Sequence, residues 1–175
     1  MDPENGMPGV LNEEEIRRLI VEKKLVERYI DLEKQLQPNG FDCTLSQVYR
    51  VRGIGKIDFD NSERVLPDVE ELNFEGDWVF LERGFYRARI NEIVNLPRNI
   101  MAIARPRSSV IRCGANVLTA VWDSGYRGRS EVGIVVYSDG LWLKRNARIV
   151  QLVFFRMCGE STGYSGIYQN EGMEA

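Results

Sequence analysis

Residues 105–112 read RPRSSVIR, with three arginines and two adjacent serine hydroxyls. Pro106 lacks a backbone donor and fixes its own φ, so it is predicted to end the preceding strand. We expect Arg107, Ser108 and Ser109 to follow in a turn, where guanidinium, hydroxyl and backbone N–H groups can converge on one phosphate. A solvated turn whose arginines pair with nearby acids is the alternative.

Residues 120–131, AVWDSGYRGRSE, place an acid directly after an apolar stretch. The DSG sequence is typical of a turn, and Gly125 and Gly128 would allow a tight hairpin. Fixed backbone could then hold Asp123 at the mouth of a pocket. An aspartate in a turn commonly only caps that turn, so the structural interpretation stays open beside the catalytic one.

Three weaker signals lie elsewhere in the chain. Gln151 stands among apolar residues in RNARIVQLVFF, and its amide needs either backbone partners or a ligand. Asp42 enters a strand after a proline and a glycine, which suits either capping or a place near a phosphate-bound metal. The C-terminal GYSGIYQNEG, with Tyr164 and Tyr168, is either a frayed tail or a mobile lid whose ring stacks on a flat ligand.

The chain contains no histidine. This excludes a Ser-His-Asp triad, a Cys-His pair and the histidine-ligated zinc of the common cytidine deaminases. If the protein is an enzyme that works near neutral pH, its general base is expected to be a carboxylate, ahead of tyrosine, lysine or cysteine.

The composition limits the partners and the compartment. A net charge of -3 argues against a broad basic surface, so we expect no nucleic-acid partner and only a local anion site. No apolar run approaches the roughly 18 residues of a membrane span, and the N-terminus lacks a signal core, so we expect no membrane partner. Cys43, Cys113 and Cys158 are far apart and odd in number, which favours a reducing cytoplasm over a disulfide framework.

The elements that must position these residues are one helix and many strands. In LNEEEIRRLIVEKK, Asn12 is the predicted N-cap and Glu15 the third helical position, so a helix is expected over about 13–23 with Ile16, Leu19 and Ile20 on one face. Short apolar alternations follow, broken by Gly, Pro, Asn and Asp. This pattern predicts a mainly β fold, a barrel or a sandwich.

The predicted organisation is a single domain with flexible ends. Residues 1–10 are expected to be a flexible extension, 11–158 one β domain with its N-terminal helix, and 159–175 a mobile C-terminal arm. The acidic stretch 53–76 is the least regular part, and either an insertion loop or a hairpin would account for it.

Taken in order, the motifs QPNGFD, PRSSVIR, WDSGYRG and RIVQLVFF and the Gly-Tyr-rich tail resemble the dUTPase and dCTP deaminase superfamily. The amino-acid sequence of these motifs is most similar to the archaeal dUTPase branch, over residues 11–171. The resemblance implies a distorted, jelly-roll-like β-barrel that assembles as a homotrimer with active sites at subunit interfaces. It also implies dUTP as substrate and Mg²⁺ as cofactor.

The resemblance assigns roles in hydrolysis of dUTP to dUMP and pyrophosphate, a reaction that keeps uracil out of DNA and supplies dUMP for thymidylate synthesis. Asp123 would activate the attacking water, in agreement with the carboxylate base that the missing histidines favour. Arg107, Ser108 and Ser109 match the phosphate-binding motif. Asp42 matches an acid that reaches the metal through water.

Further roles follow from the same resemblance. Tyr126 matches the ring packed under the deoxyribose, while Gln151, Tyr168 and Gln169 match residues that approach the base or the phosphates as the arm closes. Arg112 follows the deaminase branch and would maintain the shape of the pocket. Uracil specificity would come largely from hairpin backbone.

The choice between the two activities depends on one position. The deaminase glutamate follows the motif aspartate by ten residues, and the count from Asp123 gives Gly133, which can neither activate water nor carry a proton. Glu131 would face the same side of a regular strand, and a bulge could bring it into use. The open alternatives are a dCTP deaminase or bifunctional enzyme, a regulatory module that binds dUTP without hydrolysing it, and a site for another nucleotide.

Overall fold

The computed structural model describes residues 7–173, and within them strands far outnumber helices. The helices are Glu13–Lys23 (α1), Leu32–Gln35 (α2) and Ser108–Arg112 (α3). The strands are Gly9–Val10 (β1), Val26–Glu27 (β2), Leu36–Gln37 (β3), Gly40–Arg52 (β4), Asp68–Glu71 (β5), Trp78–Leu81 (β6), Gly84–Ile90 (β7), Ile93–Asn95 (β8), Ile100–Pro106 (β9), Ala115–Leu118 (β10), Arg127–Gly128 (β11), Glu131–Val136 (β12), Leu141–Lys144 (β13) and Arg148–Arg156 (β14).

The strands form one large antiparallel sheet and two small ones. The large sheet has the order β1-β14-β4-β7-β12-β10, with β3 and β5 added on β4 and β9 added on β14. It curls into a half-barrel around the apolar core, which confirms the predicted mainly β, barrel-like fold. The small sheets are β11-β8-β2 and β13-β6. Strand β12 shows the underlying pattern, because its buried residues alternate with partly exposed ones.

The predicted N-terminal helix is confirmed as α1. The side chain of Asn12 accepts a hydrogen bond from the Glu15 backbone N–H at 3.0 Å, as expected of an N-cap. The carboxylate of Glu15 contacts Arg156 of β14 at 3.2 Å. The apolar face, Ile16 with Leu19 and Ile20, is buried against the sheet.

Two segments differ from, or refine, the sequence prediction. Residues 9 and 10, assigned above to the extension, pair with Arg156 and Phe155 as β1, whereas residues 1–6 lie outside the described part of the chain. The stretch 53–76 belongs to a hairpin, because β5 pairs with the end of β4 and an isolated bridge joins Lys56 to Val65. Residues 174 and 175 of the predicted arm also lie outside the described range.

The segment RPRSSVIR is only partly as predicted. Strand β9 ends at Pro106, as expected, but the turn predicted at residues 107–109 is wrong, because α3 begins at Ser108. Val110 donates its N–H to the Arg107 carbonyl at 3.0 Å and is buried in the core. This one buried side chain holds a five-residue helix, which is too short to produce a helical period in the sequence.

Candidate active site

A cavity of about 420 Å³ opens beside residues 123–128, which we call the DSG turn. Its wall includes Asp123, Tyr126 and Tyr168, together with Tyr164 and Glu171 of the C-terminal arm. We call this cavity the DSG pocket. Its volume is in the range of small-molecule sites, roughly 300–1,000 Å³.

The DSG turn is fixed by its backbone. Tyr126 donates its N–H to the Asp123 carbonyl at 3.2 Å, and Gly125 has a φ of 83°. A Cβ on Gly125 would lie 2.8 Å from the Cα of Gly163, so only glycine permits this close approach of the arm. The turn is not the predicted tight hairpin, because it joins a bridge at Trp122 to β11, which pairs with β8. It still holds Asp123 exposed at the pocket mouth, as expected.

Tyr126 forms a rigid aromatic wall. Its side chain is 5% exposed, its hydroxyl shares a hydrogen bond of 2.8 Å with Ser130, and it donates to Glu171 at 2.8 Å. The ring packs edge-on against Tyr164, with centroids 5.6 Å apart. Burial raises the pKa of Tyr126, so the phenol stays protonated at neutral pH. The orientation of this ring is therefore set before any ligand binds.

The C-terminal arm, residues 159–173 in the described chain, runs along the DSG turn. The Gln169 carboxamide accepts a hydrogen bond from the Arg127 N–H at 2.9 Å and donates one to the Gly125 carbonyl at 3.0 Å. Asn170 donates its N–H to the Arg127 carbonyl at 2.7 Å. Tyr168 is 41% exposed and contributes to the cavity wall.

A second group of predicted residues gathers around Asp42, at the far end of β9. The Asp42 carboxylate is 1% exposed, and its Oδ2 lies 3.1 Å from Arg107 Nε and 3.3 Å from Arg148 Nη1. Burial raises the pKa of Asp42, and the two guanidinium groups oppose that shift. Its Oδ1 is buried without a hydrogen-bond partner among residues 7–173. Asp42 thus orients two cations while one of its oxygens stays free.

The remaining members of this group lie close by. Ser108 and Ser109 are exposed in the first turn of α3, and Arg112 donates to the Ser108 hydroxyl at 3.4 Å. Gln151 of β14 stands opposite Asp42 in the ladder between β14 and β4. We call the set Asp42, Arg107, Ser108, Ser109, Arg112, Arg148 and Gln151 the arginine cluster.

Asp42 is supported by buried residues that no motif in the sequence singles out. The buried carboxylate of Glu92 accepts hydrogen bonds from Gln35 Nε2 at 2.7 Å, Thr44 Oγ1 at 2.6 Å and the Thr44 N–H at 2.9 Å. Gln35 also donates to the Asp42 carbonyl at 2.9 Å. This network fixes the start of β4. Its one signal in the sequence is an acid between the apolar ends of two strands, in RINEIVN.

The DSG pocket and the arginine cluster are far apart in one chain. Trp122 pairs with Ala102 in an antiparallel bridge, so Asp123 lies level with Met101 of β9. Arg107 follows six positions later, at about 3.3 Å per residue, which gives a separation of about 20 Å. A water that attacks phosphorus must lie within about 3.5 Å of it. Asp123 and Arg107 of the same chain therefore cannot serve the same phosphate.

The strand that follows the DSG turn bears on the deaminase alternative. Strands β12 and β7 pair in continuous register from Glu131 to Val136, without the bulge that would bring Glu131 into use. The Glu131 carboxylate is bound by Arg87 and by Arg89, the latter at 2.9 Å. A Cβ on Gly133 would lie 2.8 Å from the Phe85 ring, so that ring fills the space beside the glycine.

Two kinds of feature are absent from residues 7–173. No helix there is long and apolar enough to cross a membrane. No group of three or more Asp, Glu, Cys or His side chains in this range is arranged to hold a metal ion.

Comparison with known proteins identifies the family to which this fold and these residues belong. A family model described as dCTP deaminase-like matches residues 10–157. The chain belongs to this family. The resemblance found in the motifs is thereby confirmed, and the family includes relatives with either of the two activities weighed above.

Curated relatives carry the dUTPase name. A probable deoxyuridine 5'-triphosphate nucleotidohydrolase of Archaeoglobus fulgidus is 61% identical over 168 residues, which are 95% of this chain and 99% of the relative. The deoxyuridine 5'-triphosphate nucleotidohydrolase of Methanocaldococcus jannaschii is 38% identical over 78% of this chain and 88% of its own length.

Among solved structures, the dCTP deaminase of Agrobacterium tumefaciens matches with a TM-score of 0.67 and 25% identity. The match covers 86% of this chain and 49% of that one, so the present chain spans about half of its length.

Proposed function

We propose that this protein hydrolyses dUTP to dUMP and pyrophosphate. The observation that carries the proposal is Asp123, an exposed carboxylate that the backbone of the DSG turn fixes at the mouth of a pocket, in a chain without histidine. The names of the archaeal relatives support the same reaction. The cysteines are unpaired, which suits a reducing compartment, and we infer a cytoplasmic location.

In this mechanism Asp123 takes a proton from a water molecule, which attacks phosphorus, and pyrophosphate leaves. The Tyr126 ring supports the deoxyribose, and the backbone of the DSG turn binds the base. Arg107, Ser108 and Ser109 hold the phosphate oxygens on which charge develops. Arg112 donates to Ser108 and keeps that hydroxyl in place. Gln151 and Tyr168 approach the bound nucleotide from the sheet and from the arm.

The residues around Asp42 fit a magnesium ion carried by the triphosphate. Mg²⁺ keeps several of its waters and asks for few protein ligands. The free Oδ1 of Asp42 can accept a hydrogen bond from a metal-bound water, and Arg107 and Arg148 neutralise the rest of the carboxylate. When bound, the ion would neutralise phosphate charge during the reaction.

The separation of about 20 Å between Asp123 and Arg107 supports assembly from several copies. We infer a homotrimer in which the DSG pocket of one subunit meets the arginine cluster of its neighbour. A cyclic assembly repeats this heterologous contact at every interface and so completes every site.

The direct test is a rate panel of dUTP, dCTP, dTTP and UTP with Mg²⁺, with pyrophosphate and ammonia release measured separately. We expect hydrolysis of dUTP and no ammonia from dCTP. For Asp123→Asn, kcat should fall by roughly 10²- to 10⁴-fold while dUTP binding persists, because the general base is lost. An unchanged rate would show that Asp123 is not the base.

The same panel separates the alternatives. Release of ammonia from dCTP would mean that Glu131 or another group replaces the missing glutamate. Binding of dUTP by the wild-type protein without turnover would indicate a regulatory module. A preference for dTTP or UTP would mean that the fold serves another nucleotide.

A further inference from the structure

The backbone of the DSG turn presents one donor and one acceptor side by side, and a side chain of the same protein occupies both. The Arg127 N–H donates to Gln169 Oε1 at 2.9 Å, and Gln169 Nε2 donates to the Gly125 carbonyl at 3.0 Å. A backbone N–H can only donate and a carbonyl can only accept, so the orientation of the carboxamide is fixed. The group bound there is an O=C–N–H unit.

The imide edge of uracil is also an O=C–N–H unit. At positions 3 and 4 of the cytosine ring, donor and acceptor are exchanged, because N3 accepts and the 4-amino group donates. We propose that the Gln169 carboxamide is an intramolecular stand-in for the pyrimidine. In the nucleotide-free chain it masks the base-recognition groups of Gly125 and Arg127, and it must leave before a uracil nucleotide binds. This inference rests on the proposed function, because it assumes that these groups read the base.

The arm is built to dock and to release as a unit. Residues 159–173 contain no helix or strand, and backbone hydrogen bonds attach the arm to the turn at several points. Tyr164 donates to the Ser124 carbonyl at 2.8 Å, and Arg129 donates to the Glu171 carbonyl at 2.9 Å. These contacts place Gln169 on the recognition edge without a folded element that would have to unfold on release.

Masking and substrate contact predict opposite effects on affinity. When only a fraction of the protein is free to bind, the apparent Kd is the intrinsic Kd divided by that fraction. Removal of the mask therefore lowers the apparent Kd. If Gln169 instead contacts the nucleotide when the arm closes, as its motif position predicts, removal of its amide raises the Kd.

The test uses the full-length chain and the substitution Gln169→Met, which preserves side-chain length and removes both hydrogen bonds. Calorimetric titration with α,β-imido-dUTP and Mg²⁺ should give a Kd roughly three- to tenfold lower than that of the wild type. Ile167→Ala is the matched control, since Ile167 is 66% exposed on the same arm, and its Kd should not change. An equal or higher Kd for Gln169→Met would overturn the proposal.

A second measurement needs no nucleotide. In the free wild-type protein the Arg127 amide should exchange slowly with solvent, and in Gln169→Met it should exchange at least threefold faster. Equal exchange in the two proteins would also overturn the mask. If α,β-imido-dUTP bound neither protein, the proposed function itself would fail, whereas tight binding with an unfavourable change in Gln169→Met would contradict the mask alone.

Discussion

The DSG pocket and the arginine cluster differ in how complete they are within a single chain. In the pocket and the turn beside it, the Tyr126 hydroxyl and the backbone groups of Gly125 and Arg127 that we assign to base recognition all have partners from the chain itself. In the arginine cluster, a buried oxygen of Asp42 has no partner among residues 7–173, and Ser108 is exposed. The first region is covered by its own arm, whereas the second keeps an unpartnered buried oxygen and an exposed hydroxyl among residues 7–173.

The chemistry of the two groups that we propose these regions bind, a base and a triphosphate, accounts for this difference. A flat base is bound by neutral hydrogen bonds and aromatic packing, and a chain can imitate these with an amide and a tyrosine. A triphosphate needs concentrated positive charge, which is unfavourable unless it is neutralised while no ligand is bound. Asp42 supplies that neutralisation to Arg107 and Arg148. This difference is what we expect if, as proposed above, each subunit contributes to two different sites.

The largest expected effect comes from mixing two damaged subunits. Asp123→Asn and Arg107→Ala should each be nearly inactive as homo-oligomers. After joint unfolding and refolding in equal amounts, about a quarter of the sites should receive an intact Asp123 from one subunit and an intact Arg107 from its neighbour, in a heterologous ring. Recovery of about a quarter of the wild-type rate is measured by pyrophosphate release.

The control mixes Asp123→Asn with the double variant that carries both substitutions, which must stay inactive because no chain supplies Asp123. If the first mixture also failed to recover, the two regions would have to act within one subunit. The distance that we infer along β9 between Asp123 and Arg107 of one chain would then not hold in the assembled enzyme.

The second largest effect is expected for substitution of Arg107, compared with substitution of Arg105 near the end of β9. Arg107→Ala removes a charge-assisted phosphate contact, so kcat/KM should fall by roughly 10²-fold. It also leaves the buried Asp42 with Arg148 as its one remaining ion-pair partner among residues 7–173, and the free energy of unfolding should fall by about 1–3 kcal/mol. Arg105→Ala is the matched control, because that side chain is exposed, and its stability should change by less than about 0.5 kcal/mol.

A double variant distinguishes the loss of activity from the loss of stability. Asp42→Asn added to Arg107→Ala removes the poorly compensated charge, so stability in chemical denaturation should partly recover while activity stays low. If the double variant were no more stable than Arg107→Ala alone, Asp42 would not depend on Arg107 for compensation.

Local patterns predicted most of the fold. Period-two alternation predicted the long strands, and the Asn12 cap predicted α1, because both signals lie within a few residues of each other. The two-residue strand β1 and the five-residue α3 are too short to have a period. Each exists because of a partner distant in sequence, β14 for β1 and the core around Val110 for α3.

In the candidate site, too, the features set by adjacent residues were predictable and those set by distant partners were not. Asp123 and its turn were predicted from adjacent residues. The pairing of Asp42 with Arg107, and the support of β4 by Glu92, depend on strands that meet only in the folded sheet. Gln169 was named through its motif, but its position on the turn depends on a match between its amide and two backbone groups, which no spacing in the sequence reveals.

The smallest expected effect concerns how pH affects the docking of the arm. Glu171 accepts a hydrogen bond from Tyr126, and burial raises the pKa of its carboxyl. Glu131 reinforces this shift, whereas Arg89 and Arg87 oppose it. Because the pKa is higher in the docked arm than in a free one, docking is favoured most below the ordinary value of about 4.3. It weakens as the pH rises through the raised pKa.

Glu171→Gln should remove this dependence, since a carboxamide still accepts from the Tyr126 hydroxyl and does not titrate. The readout is the exchange protection factor of the Arg129 amide, which donates to the backbone carbonyl of residue 171, followed from pH 4.5 to pH 7. We expect a fall of a few-fold in the wild type and in Glu160→Gln, an exposed control on the same arm, and no fall in Glu171→Gln. A parallel fall in all three would assign the effect to another group and leave the closure of the DSG pocket independent of pH.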